Sequence, residues 1–289
     1  MENIAVICGG ILLGLMIGSF LNVVIYRLPV MLQREWQLEA RAILADGEAP
    51  EDNSEAFNLL TPRSRCRNCG TLVTAWQNIP LISWLLLGGR CASCKTAISI
   101  RYPLIEMFTG ALSGAVVWQF GTELGSGLIL VFVWSLIALT MIDIDHMFLP
   151  DKITLPLLWL GLLISLLHGP VAGLPFTDIR SAIFGAVLGY LSLWSVYWLF
   201  KLITGKEGMG YGDFKLLAAL GAWLGVKMIP LIIMLSAVVG AVVGIAMVLI
   251  LGRDRQIPIP FGPYLAGAGL IAMFWGDSII EVYLGFSGL

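Results

Sequence analysis

Eight apolar stretches divide the chain, most of them close to the roughly 20 residues that an α-helix needs to cross the hydrocarbon core of a bilayer. They run approximately Ile4–Tyr26, Leu104–Phe120, Ser126–Ile142, Ile153–Leu167, Ser181–Ile203, Leu216–Gly225, Met228–Leu251 and Tyr264–Leu284. The sixth is the shortest, with Lys227 and Pro230 close behind it, and reads as a half-helix as readily as a full span. Only 12% of the 289 residues are charged, about half the share found in soluble domains, so a single soluble globule is excluded. A hydrophobic content of 58% excludes a solvated, disordered chain. The net charge of -2 argues against the basic footprint of a nucleic-acid binder. The expected fold is an all-α polytopic membrane bundle of about eight transmembrane helices.

Basic residues set the orientation, because Lys and Arg collect in cytoplasmic loops. Counted over alternate loops of an eight-span chain, 15 of the 17 basic residues fall on one side, nine of them between Arg27 and Arg101, and only Arg180 and Lys227 fall on the other. The large loop is therefore expected inside and the N-terminus on the face away from the cytoplasm. Met1-Glu2-Asn3 lacks the basic start of a cleavable signal peptide, and the apolar run that follows is too long for one. The first stretch is expected to stay as an anchor. The chain then divides into residues 1–26, a first transmembrane helix; 27–103, a cytoplasmic loop; and 104–289, the main membrane domain.

Within the loop, Met31–Asn58 carries Glu35, Glu39, Asp46, Glu48, Glu51, Asp52 and Glu55 with few apolar anchors, which predicts an exposed amphipathic helix followed by a mobile loop. Four cysteines come next, as Cys66-x-x-Cys69 and Cys91-x-x-Cys94. Two such knuckles can close a zinc tetrahedron. Arg65, Arg67, Arg90 and Lys95 beside them favour ionised sulfur. Two disulfides are the alternative, and they would need an oxidising compartment, whereas the charge bias places the loop in the cytosol. A four-sulfur site has no open position, so its role is structural, and such sites contribute on the order of 10 kcal/mol to folding. Cys8, inside the first stretch, reads as a packing residue.

Ionisable groups at the rim of a membrane segment are costly and point to function. Two clusters qualify, Asp143-Ile144-Asp145-His146 running on to Pro150-Asp151, and Gly208-Met209-Gly210-Tyr211-Gly212-Asp213. Both fall at the cytoplasmic ends of their helices, where they can face one another. Asp143 and Asp145 lie about 200° apart on a helix, so one of them is supporting or solvated. Asp151 reads as an N-cap and His146 as an interfacial polar residue, while His168 receives no role. The alternating glycines before Asp213 would let a second backbone come close, although Asp213 could equally cap the helix that follows. Two carboxyl groups in a low-dielectric site hold one proton between them. Such a pair can hydrolyse an amide, one member activating water while the other donates a proton, or it can relay protons in a transporter.

These features occur in an order that resembles the bacterial type IV prepilin peptidases, membrane aspartyl proteases with a Gly-x-Gly-Asp motif. The resemblance covers essentially the whole chain. It includes Gly18-Ser19-Phe20-Leu21-Asn22, Arg27-Leu28-Pro29, both cysteine knuckles, Arg101-Tyr102-Pro103 with Glu106, the Asp143 to Asp151 segment, Gly210-Tyr211-Gly212-Asp213-Phe214-Lys215, and Pro260-Phe261-Gly262-Pro263-Tyr264. It implies that Asp143 and Asp213 are the catalytic pair and that Cys66, Cys69, Cys91 and Cys94 hold structural zinc. The implied substrates are prepilins and pseudopilins of type IV pili or type II secretion, cut after the Gly of a basic leader at the cytoplasmic face. It further implies N-methylation of the new N-terminus with S-adenosylmethionine. No Gly-x-Gly-x-x-Gly fingerprint follows a strand pattern to receive that donor, and Glu35, Glu39 and Glu106 read as solvated or structural before they read as its ligands. A basic leader could approach Asp145 and Asp151. Of the other readings, a transporter lacks the inverted repeats expected of it, and a membrane scaffold leaves the acidic glycine loop without a purpose.

Overall fold

Apolar segments in a medium without water must satisfy their own backbone groups, and a helix does so within one segment. The computed structural model describes residues 2–44, 57–166, 176–252 and 259–287, and among them every extended element is helical. In chain order these are α1 (Glu2–Leu44), α2 (Ile82–Leu86), α3 (Arg101–Phe120), α4 (Leu124–His146), α5 (Asp151–Ser165), α6 (Ile179–Thr204), α7 (Tyr211–Leu224), α8 (Ile229–Leu251) and α9 (Gly262–Ser287). The acidic stretch around Asp46 to Glu55, where the mobile loop is expected, lies outside the described residues, as does His168.

Each of the eight apolar stretches forms a helix, and their lengths divide them into two groups. Five helices, α1, α4, α6, α8 and α9, are long and apolar enough to span a membrane. At 15 and 14 residues, α5 and α7 are shorter than a crossing needs. The 20-residue α3 has the length but carries Arg101, Glu106 and Gln119. A correction concerns α1, which does not end near Tyr26. It continues through Pro29 to Leu44 as one helix of 43 residues, because Leu, Gln, Glu, Ala and Arg beyond the apolar run are good helix formers. The expected amphipathic helix is thus the second half of α1.

Contacts divide the chain into two units, Met1–Trp134 and Ser135–Leu289. In the first, α1 and α3 pack antiparallel along a face of small residues, Gly10, Gly14 and Gly18, spaced one turn apart. A β-carbon on Gly10 would come within 2.7 Å of Val117 Cγ2, and one on Gly18 within 2.7 Å of the Glu106 backbone. Such close approach is how helices gain contact where no hydrophobic drive separates protein from lipid. Cys8 lies off this face and is exposed, so it points away from the packed pair and is not the packing residue its apolar context predicts.

In the second unit, α7 is the central element, buried at every position from Phe214 to Leu224 except Lys215. Helix α6 meets it through Gly185 and Gly221, whose backbones touch, and through Gly189 against Leu217 O. On the α5 side, Gly161 accommodates the Trp223 ring, whose Nε1 donates to Leu157 O at 2.8 Å. Leu220 packs on Gly269 of α9. The second half of α7 is therefore held by backbone-close contacts with its neighbours.

Candidate active site

Asp143 sits in the last turn of α4. The next residue but three, Met147, ends that helix with φ +57°, and its N–H bonds to Asp143 O at 2.9 Å. This left-handed cap usually falls to glycine, and for a residue with a side chain it costs about 1–2 kcal/mol. The turn sends Phe148-Leu149-Pro150 into the protein, and α5 begins at Asp151. Asp143 is 4% exposed and Asp213 7%, whereas Asp145 lies on the exposed side of the same helix, as the angular separation predicts.

Asp213 is the third residue of α7. The cap is Gly210, without a side-chain hydrogen bond, and Asp213 N–H donates to Gly210 O at 3.2 Å. Its carboxylate therefore does not cap the helix. The three glycines before it differ in surroundings. A β-carbon on Gly208 would strike the Phe200 ring, and one on Gly212 would lie 2.9 Å from Leu149 Cβ, while one on Gly210 would meet nothing nearer than Asp213 Oδ2 and Gly212 N, both at 4.0 Å. The close approach at Gly212 thus serves Leu149, and Gly210 is the position left open to another backbone.

Leu149 is the hinge of the arrangement. It fills the space beside Gly212 and also lies 3.2 Å from where a β-carbon on Gly262 would be. The Gly262 N–H in turn donates to Asp143 Oδ2 at 3.0 Å. One leucine and two glycines so fix the segments that carry the two aspartates, and the charge on Asp143 acts on Asp213. A buried carboxyl pair of this kind suits general acid–base chemistry.

Asp151 is the first helical residue of α5, not its N-cap. The cap position is taken by Pro150, and both Asp151 oxygens accept from Lys215 Nζ at 2.7 Å. Its charge is shared with Lys215 in a partly exposed pair, with which a basic leader would compete. His146 stacks obliquely on Phe148, ring centres 6.1 Å apart. Behind Tyr211 lies a network that the sequence does not announce. Lys201 Nζ donates to Glu207 Oε1 at 2.8 Å and to Tyr197 Oη at 3.1 Å, and Tyr197 packs on Tyr211 and Phe214 with ring centres 5.4 and 5.7 Å away. The Lys201 ammonium holds the Glu207 carboxyl below its usual range. Residues from α6 thereby brace the glycine loop.

The four cysteines of the first unit form a cluster whose sulfur atoms all lie within 4.8 Å of one another, an arrangement that could hold a metal ion. Cys66 Sγ and Cys94 Sγ are 3.7 Å apart, close to the edge of about 3.8 Å that a tetrahedron with 2.3 Å metal–sulfur bonds requires. All four cysteines are free of disulfides. The two knuckles repeat one geometry. Cys66 N–H donates to Thr71 O and Gly70 N–H to Cys66 O, and Cys91 and Lys95 do the same with Thr96 O and Cys91 O. Gly70 has φ +70° and Lys95 φ +59° at the matching position. The Thr96 hydroxyl, and then its backbone, hold the Cys94 thiol down to about 5, which suits a thiolate ligand. Arg27, buried at the end of the apolar part of α1, ties the module down by donating to Asn58 O at 2.8 Å and Pro62 O at 2.6 Å. Glu106 accepts from Leu81 N–H at 2.9 Å, so this carboxylate is structural, as the sequence suggests.

Comparisons with known proteins agree with this layout. Residues 12–120 match the bacterial peptidase A24 N-terminal domain, and residues 130–245 match the type IV leader peptidase family. A prepilin leader peptidase/N-methyltransferase of Stutzerimonas stutzeri is 56% identical over 98% of this chain and 95% of that protein. Proteins of the same name are 55% identical in Pseudomonas aeruginosa, over 96% of this chain and 93% of that protein, and 50% identical in Neisseria gonorrhoeae, over 92% and 90%. No solved structure matches. Identity of half or more along nearly the full length leaves no room for a different assignment, and the chain belongs to the type IV leader peptidase family.

Proposed function

We propose that this protein removes the leader peptide of type IV prepilins and pseudopilins and N-methylates the residue so exposed. The observation that carries the first activity is the burial of two carboxyl groups, Asp143 in the last turn of α4 and Asp213 at the start of α7, on segments that Leu149 links through Gly212 and Gly262. In the proposed reaction the ionised aspartate takes a proton from a water molecule as it attacks the scissile carbonyl. The protonated aspartate donates to the departing nitrogen. The Gly262 N–H fixes the Asp143 carboxylate, and the open side of Gly210 admits the substrate backbone beside Asp213. Asp145, exposed in the last turn of α4, is the proposed acidic contact for a basic leader.

Cys66, Cys69, Cys91 and Cys94 are proposed to hold structural zinc; sulfur spacing and a donor set made wholly of cysteine support that ion. Methyl transfer from S-adenosylmethionine is proposed from the relatives' name, and it supplies only the methyl group. Glu35 and Glu39 are exposed one turn apart on α1, and Glu106 is committed to Leu81. The bias of basic residues supports an inner-membrane location with the N-terminus in the periplasm and the segment 27–103 facing the cytoplasm. On this reading residues 1–26 anchor, 27–103 carry the zinc module, and 104–289 carry the protease.

The test is to mix the purified, detergent-solubilised protein with a purified prepilin and S-adenosylmethionine and to weigh the product. The expected product has lost its leader and gained one methyl group at its N-terminus. An intact prepilin would sink the proposal, and a shortened but unmethylated one would sink its second half. Within the site, Gly262→Ala places a β-carbon 2.6 Å from Asp143 Oδ2. It is expected to lower kcat for leader removal about 10²-fold, the scale of a 1 Å displacement of a reacting group, with the helical circular dichroism unchanged. Wild-type kcat would mean that the carboxylate does not need this seat.

A further inference from the structure

The stretch Phe57–Arg101 contains six basic residues, Arg63, Arg65, Arg67, Arg90, Lys95 and Arg101, and no acidic one. A divalent ion on four thiolates would add two negative charges, so the module stays cationic. Arg63, Arg65, Arg67, Arg90 and Lys95 are all exposed.

Its apolar side chains are turned outward as well. On the short helix α2, Ile82, Leu85 and Leu86 share one face, at spacings of three and four residues, and are 55%, 68% and 82% exposed. Trp76, in the 3₁₀ turn just before, is 81% exposed. Trp84 points the other way, with its ring on Gly89 and its Nε1 donating to Ile98 O at 3.2 Å. The module thus spends one aromatic residue on its own interior and presents a larger apolar face to its surroundings. That face has no part in the metal cluster or in the chemistry of the aspartates.

Position and charge together identify what covers it. The module is held where the apolar part of α1 ends and α3 begins, by Arg27 on Asn58 and Pro62, by the Arg67 guanidinium 4.3 Å from the Tyr26 ring centre, and by Glu106 on Leu81. Those helix ends lie at the bilayer boundary if α1 and α3 cross it, a reading that is independent of the protease assignment. Trp and Leu favour the interfacial zone of a membrane, and clustered Lys and Arg are drawn to anionic headgroups. We propose that the cysteine module rests on the membrane as an interfacial foot, with Trp76 and the Ile82, Leu85 and Leu86 face of α2 seated among the headgroups of an anionic leaflet.

The experiment is hydrogen exchange on the full-length, metal-loaded protein in nanodiscs of phosphatidylcholine, with or without phosphatidylglycerol. Amides of residues 76–87 are expected to exchange about tenfold more slowly when the anionic lipid is present, a factor equal to about 1.4 kcal/mol. The difference should vanish at 1 M salt, where the screening length falls to about 3 Å. It should also vanish in Arg63→Gln/Arg65→Gln/Arg67→Gln and in Leu85→Ser/Leu86→Ser. Bound metal and the exchange of α1 amides report whether each variant is folded, and the two variants alter separate parts of the module. Equal protection in both lipids would mean that anionic headgroups have no part in covering the face, and equal lack of protection would mean that water covers it. Either result overturns the proposal.

Discussion

Asp143→Asn and Asp213→Asn are each expected to slow leader removal by about 10³-fold or more, within the range that a lost general acid or base commands, while the protein stays folded and keeps its metal. The substitution preserves shape, and after Asp143→Asn the side-chain amide oxygen can still accept the Gly262 N–H that Asp143 Oδ2 accepts. What disappears is the ability to exchange a proton. In the proposed mechanism one member is ionised and the other protonated in a single turnover, so the double variant should be no slower than either single one, the non-additivity expected of residues that act as a unit. Initial rates of prepilin cleavage, with elemental analysis for metal, decide the matter. Retention of more than about a tenth of the wild-type rate in either variant would remove that residue from the role.

On the proposed reading of the cysteine cluster as a structural zinc site, removing the metal should have the second large effect. Between Phe57 and Ile100 the only buried residue is Gly89, so the module has almost no apolar core to hold it together. Metal coordination at such sites is worth on the order of 10 kcal/mol, far more than the few backbone hydrogen bonds of the knuckles can replace. Chelation, or Cys66→Ser with Cys94→Ser, is therefore expected to open the segment between Asn58 and Ser99 to protease while α1 and α3 remain packed through Gly10, Gly14 and Gly18. Limited proteolysis read by mass spectrometry would show it. A module that stays resistant after complete loss of metal would mean that other contacts suffice.

Much of this molecule could be read from its residues in order, for identifiable reasons. Apolar runs revealed where helices lie because a membrane leaves the backbone few alternatives, and paired cysteine knuckles specify their own geometry locally. The end of α1 was not legible in the same way, since apolarity stops near Tyr26 while helix-forming side chains continue to Leu44. Cys8 could have been placed correctly: Gly10, Gly14 and Gly18 mark the contact face, and residue 8 lies about 200° from residue 10 around the helix. The partners of the aspartates were out of reach. Lys215 meets Asp151 across 64 positions, and the donor to Asp143 is a backbone N–H 119 positions away, which no side-chain pattern can announce. Leu149, an ordinary apolar residue in sequence, owes its importance to two glycines far from it.

The shortness of α7 has a bearing on how water reaches the chemistry. Its 14 residues measure about 21 Å along the axis, against a hydrocarbon thickness of about 30 Å. A helix so short, buried along nearly all of its length, cannot bring both ends to the lipid surface at once. If its far end reaches the opposite headgroups, Asp213 lies below the surrounding headgroup plane, and the hydrolytic water must be supplied through a hydrated dimple in the leaflet. Bilayer thickness would then set how deep that dimple is, and thinner membranes would wet the reaction centre more readily than thick ones.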